Sequence, residues 1–108
     1  MQKLIAAGAA TALAAGALAI PALAATKTVQ VKDNVFVAKR ITVAKGTTVK
    51  WVWKGHAPHN VTVTRGPAKF RSTTQTKGTF SKRLTKKGTY TLLCTIHAPG
   101  MKMTVTVK

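Results

Sequence analysis

Residues 88–107 read GTYTLLCTIHAPGMKMTVTV, and this stretch decides the fold. Apolar side chains occupy every second position on either side of a short break: Tyr90, Leu92 and Cys94 before it, and Met103, Val105 and Val107 after it. When apolar residues recur at every second position, they lie on one face of an extended chain, which is typical of a half-buried β-strand. The stretch therefore predicts two strands, each with one apolar face, joined by a loop.

The same alternation continues upstream in short runs that glycine separates. These runs are residues 29–31, 41–43, 49–53 and 61–63, and a further polar run lies between Phe80 and Leu84. Many short alternating runs with turn residues between them are typical of a β-sandwich or small barrel. We expect an all-β, antiparallel sandwich or small barrel of about seven or eight strands. Residues 65–78 lack this periodicity and predict a long surface connection.

The first 25 residues differ from the rest of the chain. Lys3 precedes an almost wholly apolar run at residues 4–20, and Pro21 and a small-residue site ending at Ala25 follow it. This order is typical of a secretory signal peptide, which predicts cleavage near residue 25 and a location in the periplasm, outside the cell or on its surface. A retained membrane anchor is the alternative, but the proline and the small-residue site favour cleavage.

The remaining residues, 26–108, suffice for one small domain with one core. The whole chain has 18 basic residues against one acidic residue, Asp33, and only Lys3 of the basic residues leaves with the leader. Such a surface repels other copies of itself, which predicts a monomer, and attracts acidic proteins, anionic membranes or cell-wall polymers. A nucleic-acid partner is not expected, because export opposes it and most aromatic residues fall on core positions.

Cys94 is the only cysteine, so no disulfide can form within the chain. An unpaired thiol in an oxidising compartment is buried, joined to another molecule or bound to metal. His97 follows it by three residues, and His59 shares the parity of the apolar residues at 61 and 63. His59 is therefore favoured over His56 as an inward-facing metal ligand.

Thiolate, two imidazoles and a weak axial thioether form the ligand set of mononuclear copper electron-transfer sites. His59, Cys94, His97 and Met101 supply these groups at the ends of predicted strands. Met103 is the competing thioether, but its register with the apolar residues at 105 and 107 is better explained by core packing. The pattern predicts one copper ion and no position open to a substrate, so we do not expect an enzyme.

The sequence resembles the cupredoxin family of blue copper proteins, in the plastocyanin, pseudoazurin and amicyanin branch. The matching segments are residues 46–51 (GTTVKW), 57–61 (APHNV) and 88–90 (GTY), and the Cys-x-x-His-x-x-x-Met spacing that ends at Met101. The resemblance covers residues 28–108. It implies a Greek-key sandwich with copper near one end, bound by His59, Cys94, His97 and axial Met101. It also implies a hydrogen bond from Asn60 to the cysteine loop near Thr95.

The predicted function is the transfer of single electrons between redox partners, with His97 as the exit route. Small uncharged residues surround it in the sequence and favour close docking: Ala57, Pro58, Ala98 and Pro99. A small apolar contact ringed by charge is typical of transient redox complexes. The basic surface predicts an acidic partner, such as a cytochrome or a copper enzyme. The alternative function is copper buffering or delivery in the cell envelope without a dedicated redox partner.

Overall fold

The computed structural model describes residues 25–108, so the predicted signal peptide lies outside the described residues apart from Ala25. Eight strands account for the regular structure of this range. They are β1 (Thr26–Lys32), β2 (Val35–Val37), β3 (Arg40–Val43), β4 (Thr48–Trp53), β5 (Thr62–Arg65), β6 (Thr79–Arg83), β7 (Gly88–Leu93) and β8 (Lys102–Val107). Nothing in the described range is a helix with the length and apolar character that a membrane crossing requires.

The strands form two four-stranded sheets, in the orders β2-β1-β4-β6 and β3-β8-β7-β5. The chain passes from one sheet to the other at every connection between β2 and β7. The predicted all-β sandwich is confirmed, but the expectation of purely antiparallel pairing is wrong. β1 pairs with β4, and β3 with β8, in parallel. The chain leaves the first sheet after β2 and returns to it at β4, and parallel neighbours require such a crossover connection.

The core lies between the sheets and contains the residues that the alternation predicted. Their side chains are at most 8% exposed: Val29, Val31, Ile41, Val43, Val49, Trp51, Trp53, Val61, Val63, Tyr90, Leu92, Cys94, Met103, Val105 and Val107. The indole N–H of Trp51 donates to Sδ of Met103 across the sandwich at 3.4 Å. Both sheets therefore contribute one apolar face each to a single core.

The aperiodic connection between β5 and β6 lies against the segment that carries His59. The backbones of His59 and Gln75 exchange two hydrogen bonds of 3.0 Å, and the N–H of Ser72 donates to the carbonyl of Val61 at 2.8 Å. Ser72 is 3% exposed, and its hydroxyl accepts the N–H of Val61 at 2.9 Å. The predicted surface connection is therefore attached to the sandwich by backbone pairing with the segment of His59 and Val61.

Replacing Ser72 with alanine is expected to leave the buried N–H of Val61 without an acceptor. An unsatisfied buried donor costs about 1–3 kcal/mol, so the free energy of unfolding of the copper-free protein should fall by that amount. Denaturant titration of Ser72→Ala measures it. Thr73→Ala is the control, since that side chain is exposed and its loss should change stability by less than about 0.5 kcal/mol. Equal effects for both variants would contradict the role of Ser72.

Candidate metal centre

Two segments at one end of the sandwich bring the predicted metal-binding residues together. His59 lies in the loop between β4 and β5, whereas Cys94 and His97 lie in the loop that follows β7. β5 and β7 are antiparallel neighbours, with Thr62 opposite Leu93. The start of β5 and the end of β7 therefore lie side by side, and so do the loops attached to them.

Donor atoms from three side chains meet at this end. Nδ1 of His59 lies 3.2 Å from Nδ1 of His97, and Sγ of Cys94 lies 3.9 Å and 3.5 Å from these two nitrogens. His59 and Cys94 are fully buried, and His97 is half-buried. Within residues 25–108 this is the one grouping of at least three His, Cys, Asp or Glu side chains with the spacing of metal ligands.

The spacing of the three atoms fits a single metal ion. A point equidistant from all three lies about 2.1 Å from each of them, close to a metal–imidazole bond length of about 2.0–2.1 Å for zinc. One thiolate and two imidazoles form the trigonal donor set that copper electron-transfer sites use. Both the donor types and their positions therefore suit copper.

Hydrogen bonds on several sides hold His59 in place. Its backbone N–H and carbonyl pair with Gln75, and the carbonyl also accepts the indole N–H of Trp53 at 3.2 Å. Nδ1 of its ring faces the cluster, and Nε2 lies 2.9 Å from Oδ1 of Asp33. The ring therefore presents one nitrogen to the cluster and the other to a carboxylate.

Asp33 was not among the residues predicted for the site. Its carboxylate accepts the backbone N–H groups of His56 at 3.0 Å and Ala57 at 2.9 Å as well as facing His59. The hydrogen bond with His59, followed by those from Ala57 and His56, lowers the pKa of Asp33 to about 2. Asp33 stands out in the sequence as the only acidic residue of the chain, but no motif or spacing around it connects it with His59.

The side chain of Asn60 joins the two loops. Its amide N–H₂ group donates to the hydroxyl of Thr95 at 2.8 Å, and its carbonyl accepts the backbone N–H of Thr95 at 3.2 Å. Thr74 accepts from the same amide at 3.1 Å, and the hydroxyl of Thr62 donates to the carbonyl at 2.8 Å. Asn60 is 1% exposed, so these bonds satisfy a buried polar group.

The two candidate thioethers have different surroundings. Met101 is 1% exposed, and its carbonyl accepts the backbone N–H of Cys94 at 3.0 Å, so the backbones of the two residues are paired. Met103 is equally buried, but its sulfur accepts the indole N–H of Trp51. The sulfur of Met103 is therefore engaged in the core, whereas Met101 is bonded through its backbone to Cys94.

Small residues flank the half-buried His97 and the buried His59 in the sequence. Pro58, Ala98 and Pro99 are exposed, and Ala57 is half-buried. Ile96, at 49% exposure, is one of the few large apolar side chains exposed in the described range. His56 is also exposed, outside the cluster, and its backbone N–H binds Asp33.

Comparisons with known proteins agree with this geometry. The family model of copper-binding proteins of the plastocyanin/azurin family matches residues 24–108. A solved structure of the reduced state of an amicyanin mutant is 29% identical, with a TM-score of 0.69, covering 82% of this chain and 89% of that chain. A Cu(I) form of another amicyanin mutant is 30% identical with the same TM-score and coverage. A comparison with curated proteins gives no match.

The predicted resemblance to the cupredoxins is therefore confirmed, since the family match spans the whole described range. The cluster of His59, Cys94 and His97 supports one type 1 copper site. The chain belongs to the plastocyanin/azurin family of copper-binding proteins.

Proposed function

We propose that this protein carries single electrons between redox proteins through one copper ion. His59 and His97 would hold the ion through Nδ1, Cys94 through Sγ, and Met101 through a weakly binding thioether sulfur. The observation that carries the proposal is the convergence of three donor atoms, 3.2–3.9 Å apart, in a largely buried pocket of a chain from this family. Bound copper supplies a one-electron couple whose reduced form favours sulfur and whose oxidised form favours imidazole.

The protein's part is to hold the ligands in one arrangement for both oxidation states. The N–H of Cys94 donates to the carbonyl of Met101, and the N–H groups of His97 and Met101 donate within the same loop at 3.2 Å. Asn60 attaches this loop to the segment that carries His59. Ligands fixed in this way move little when the electron arrives or leaves, which favours fast transfer.

The closed ligand set favours electron transfer over catalysis. Cys94, His59 and Met101 are each at most 1% exposed, and the proposed set of four protein ligands would leave no position for a substrate. The apolar wall around the thiolate also tunes the reduction potential by excluding water. The family likewise consists generally of electron carriers and not of enzymes.

Electrons enter and leave by the edge of His97, the most exposed of the four proposed ligands. Pro58, Ala98, Pro99 and the exposed side chain of Ile96 offer a small apolar contact there. Such a contact suits the brief, low-area docking of redox proteins.

The exposed basic side chains of the domain favour an acidic partner, such as an acidic cytochrome or copper enzyme. Lys54, Lys69, Arg71 and Lys102 are exposed, and the whole chain carries a net charge of +17. Long-range attraction then raises the rate of encounter. The same charge favours a monomer and can hold the protein near an anionic membrane or cell wall.

We further propose that residues 1–25 direct export and are removed, which leaves the domain of residues 26–108 in the periplasm or at the cell surface. The support is the sequence order of Lys3, an apolar run and a small-residue site. Copper buffering without a redox partner is the competing function. Fast electron exchange with another protein separates the two, since a buffer has no need of it.

Replacement of each methionine by leucine tests which sulfur is axial. Met101→Leu removes the proposed weak ligand, so the visible spectrum and the reduction potential of the copper protein should change. Met103→Leu is the matched control, which should keep the spectrum but lower stability by about 1–3 kcal/mol, because it leaves the buried indole N–H of Trp51 without its acceptor. The reverse result, with the spectrum altered only by Met103→Leu, would assign the axial role to Met103.

The rate of electron exchange with an acidic cytochrome should fall as salt rises. The rate falls because screening shortens the range of electrostatic attraction from about 30 Å at 0.01 M to about 10 Å at 0.1 M salt. Stopped-flow mixing at increasing ionic strength measures this rate. Lys102→Glu, at the site end of β8, should slow the exchange at low salt several-fold. Lys45→Glu changes the charge equally beside the opposite end of β8 and should slow it less.

An exchange rate that does not vary with salt would refute the acidic partner. Reversible reduction at an electrode without rapid exchange with any redox protein would instead favour copper buffering.

A further inference from the structure

We infer that Asp33 is a positioning residue for the metal centre. Its carboxylate binds the Nε2–H group of His59, which fixes the tautomer of the imidazole and directs the Nδ1 lone pair at the copper. The inference rests on the proposed function only in taking His59 as a copper ligand. Metal-binding histidines commonly donate their second ring N–H to a carboxylate or carbonyl, which orients the ring and raises its basicity.

The fold fixes the position of Asp33. It is the first residue of a two-residue turn between β1 and β2, and Asn34, at φ 67°, adopts the left-handed conformation that asparagine tolerates. The N–H of Lys54 donates to the carbonyl of Val31 at 2.8 Å, which ties the end of β1 to the end of β4. The tip of the hairpin therefore lies beside the loop that leads to His59.

Three donors from that loop converge on one carboxylate. The backbone N–H groups of His56 and Ala57 and the ring Nε2 of His59 all lie 2.9–3.0 Å from Oδ1 of Asp33. Gly55 makes this approach possible, since a Cβ atom there would overlap the carboxylate of Asp33 and would lie 2.8 Å from its backbone nitrogen. The loop is thus shaped around the carboxylate.

The side chain that Asp33 contacts also supports its role at the metal centre. In the described part of the chain His59 is the only basic side chain within 4 Å of the Asp33 carboxylate, although basic residues are abundant. His59 is fully buried, whereas the carboxylate is 41% exposed. The single negative charge of the chain therefore faces a buried metal ligand and not a surface lysine or arginine.

A charged acceptor on Nε2 makes Nδ1 a stronger donor to the metal. This effect, together with the nearby negative charge, stabilises Cu(II) more than Cu(I). Asp33 is therefore expected to lower the reduction potential and to keep the ring of His59 in one orientation.

Asp33→Asn tests the inference, because it keeps the shape and an acceptor oxygen but removes the charge. We expect the affinity for Cu(II) to fall about tenfold, at the low end of the 10–100-fold loss that follows removal of such a partner, and the affinity for Cu(I) to change little. For a one-electron couple, that fold-change raises the reduction potential by about 59 mV. Voltammetry of the copper-loaded variants measures it.

Two variants separate the hydrogen bond from the charge. His56→Lys adds one positive charge in the same loop while retaining the backbone N–H that binds Asp33, so it should raise the potential less than Asp33→Asn. Gly55→Ala displaces the carboxylate without changing the net charge, so it should also raise the potential. A shift for Asp33→Asn no larger than that for His56→Lys would overturn the inference.

A measurement without copper keeps the inference separate from the proposed function. In nitrogen-resolved NMR of the copper-free protein at mildly alkaline pH, where free imidazole is neutral, His59 should carry its proton on Nε2. That proton should exchange slowly with water, and Asp33→Asn should speed its exchange. A proton on Nδ1 in the unmodified protein would contradict the role of Asp33, whether or not the protein carries electrons.

Discussion

The buried amide of Asn60 is the contact on which the metal centre depends. It holds Thr95, and with it the loop of Cys94 and His97, against the segment that carries His59. Every polar group of this side chain is used, in an environment where an unsatisfied group costs about 1–3 kcal/mol. The distances among the three donor atoms therefore follow from contacts that exist without the metal.

A centre assembled in this way is suited to an electron carrier. The ligand backbones are paired with their neighbours, as the bonds of His59 with Gln75 and of Cys94 with Met101 show. In the proposed function both oxidation states would share one set of ligand positions, and the electron would leave by His97, the only proposed ligand that is not fully buried. The sandwich would hold the ligands rigidly, and the surface charge would steer the approach of a partner.

Much of the fold and the three-residue cluster could be predicted because their signals are local. Alternation along 88–107 places Cys94 inward, and the spacing to His97 confines both residues to one loop. The parallel pairing of β1 with β4 was missed, since strand direction depends on how the chain crosses between sheets. Asp33 was missed for a similar reason, because it reaches His59 across 26 residues of sequence through a turn.

The proposed electron-carrier function depends most on a bond between copper and the sulfur of Cys94. The direct measurement is the visible absorption of the purified protein after addition of Cu(II), compared with Cys94→Ser and with His56→Ala as a control outside the cluster. The account predicts an intense blue colour that the serine variant lacks and the alanine variant keeps. A colourless copper-treated protein in which Cys94 reacts freely with a thiol reagent would contradict it.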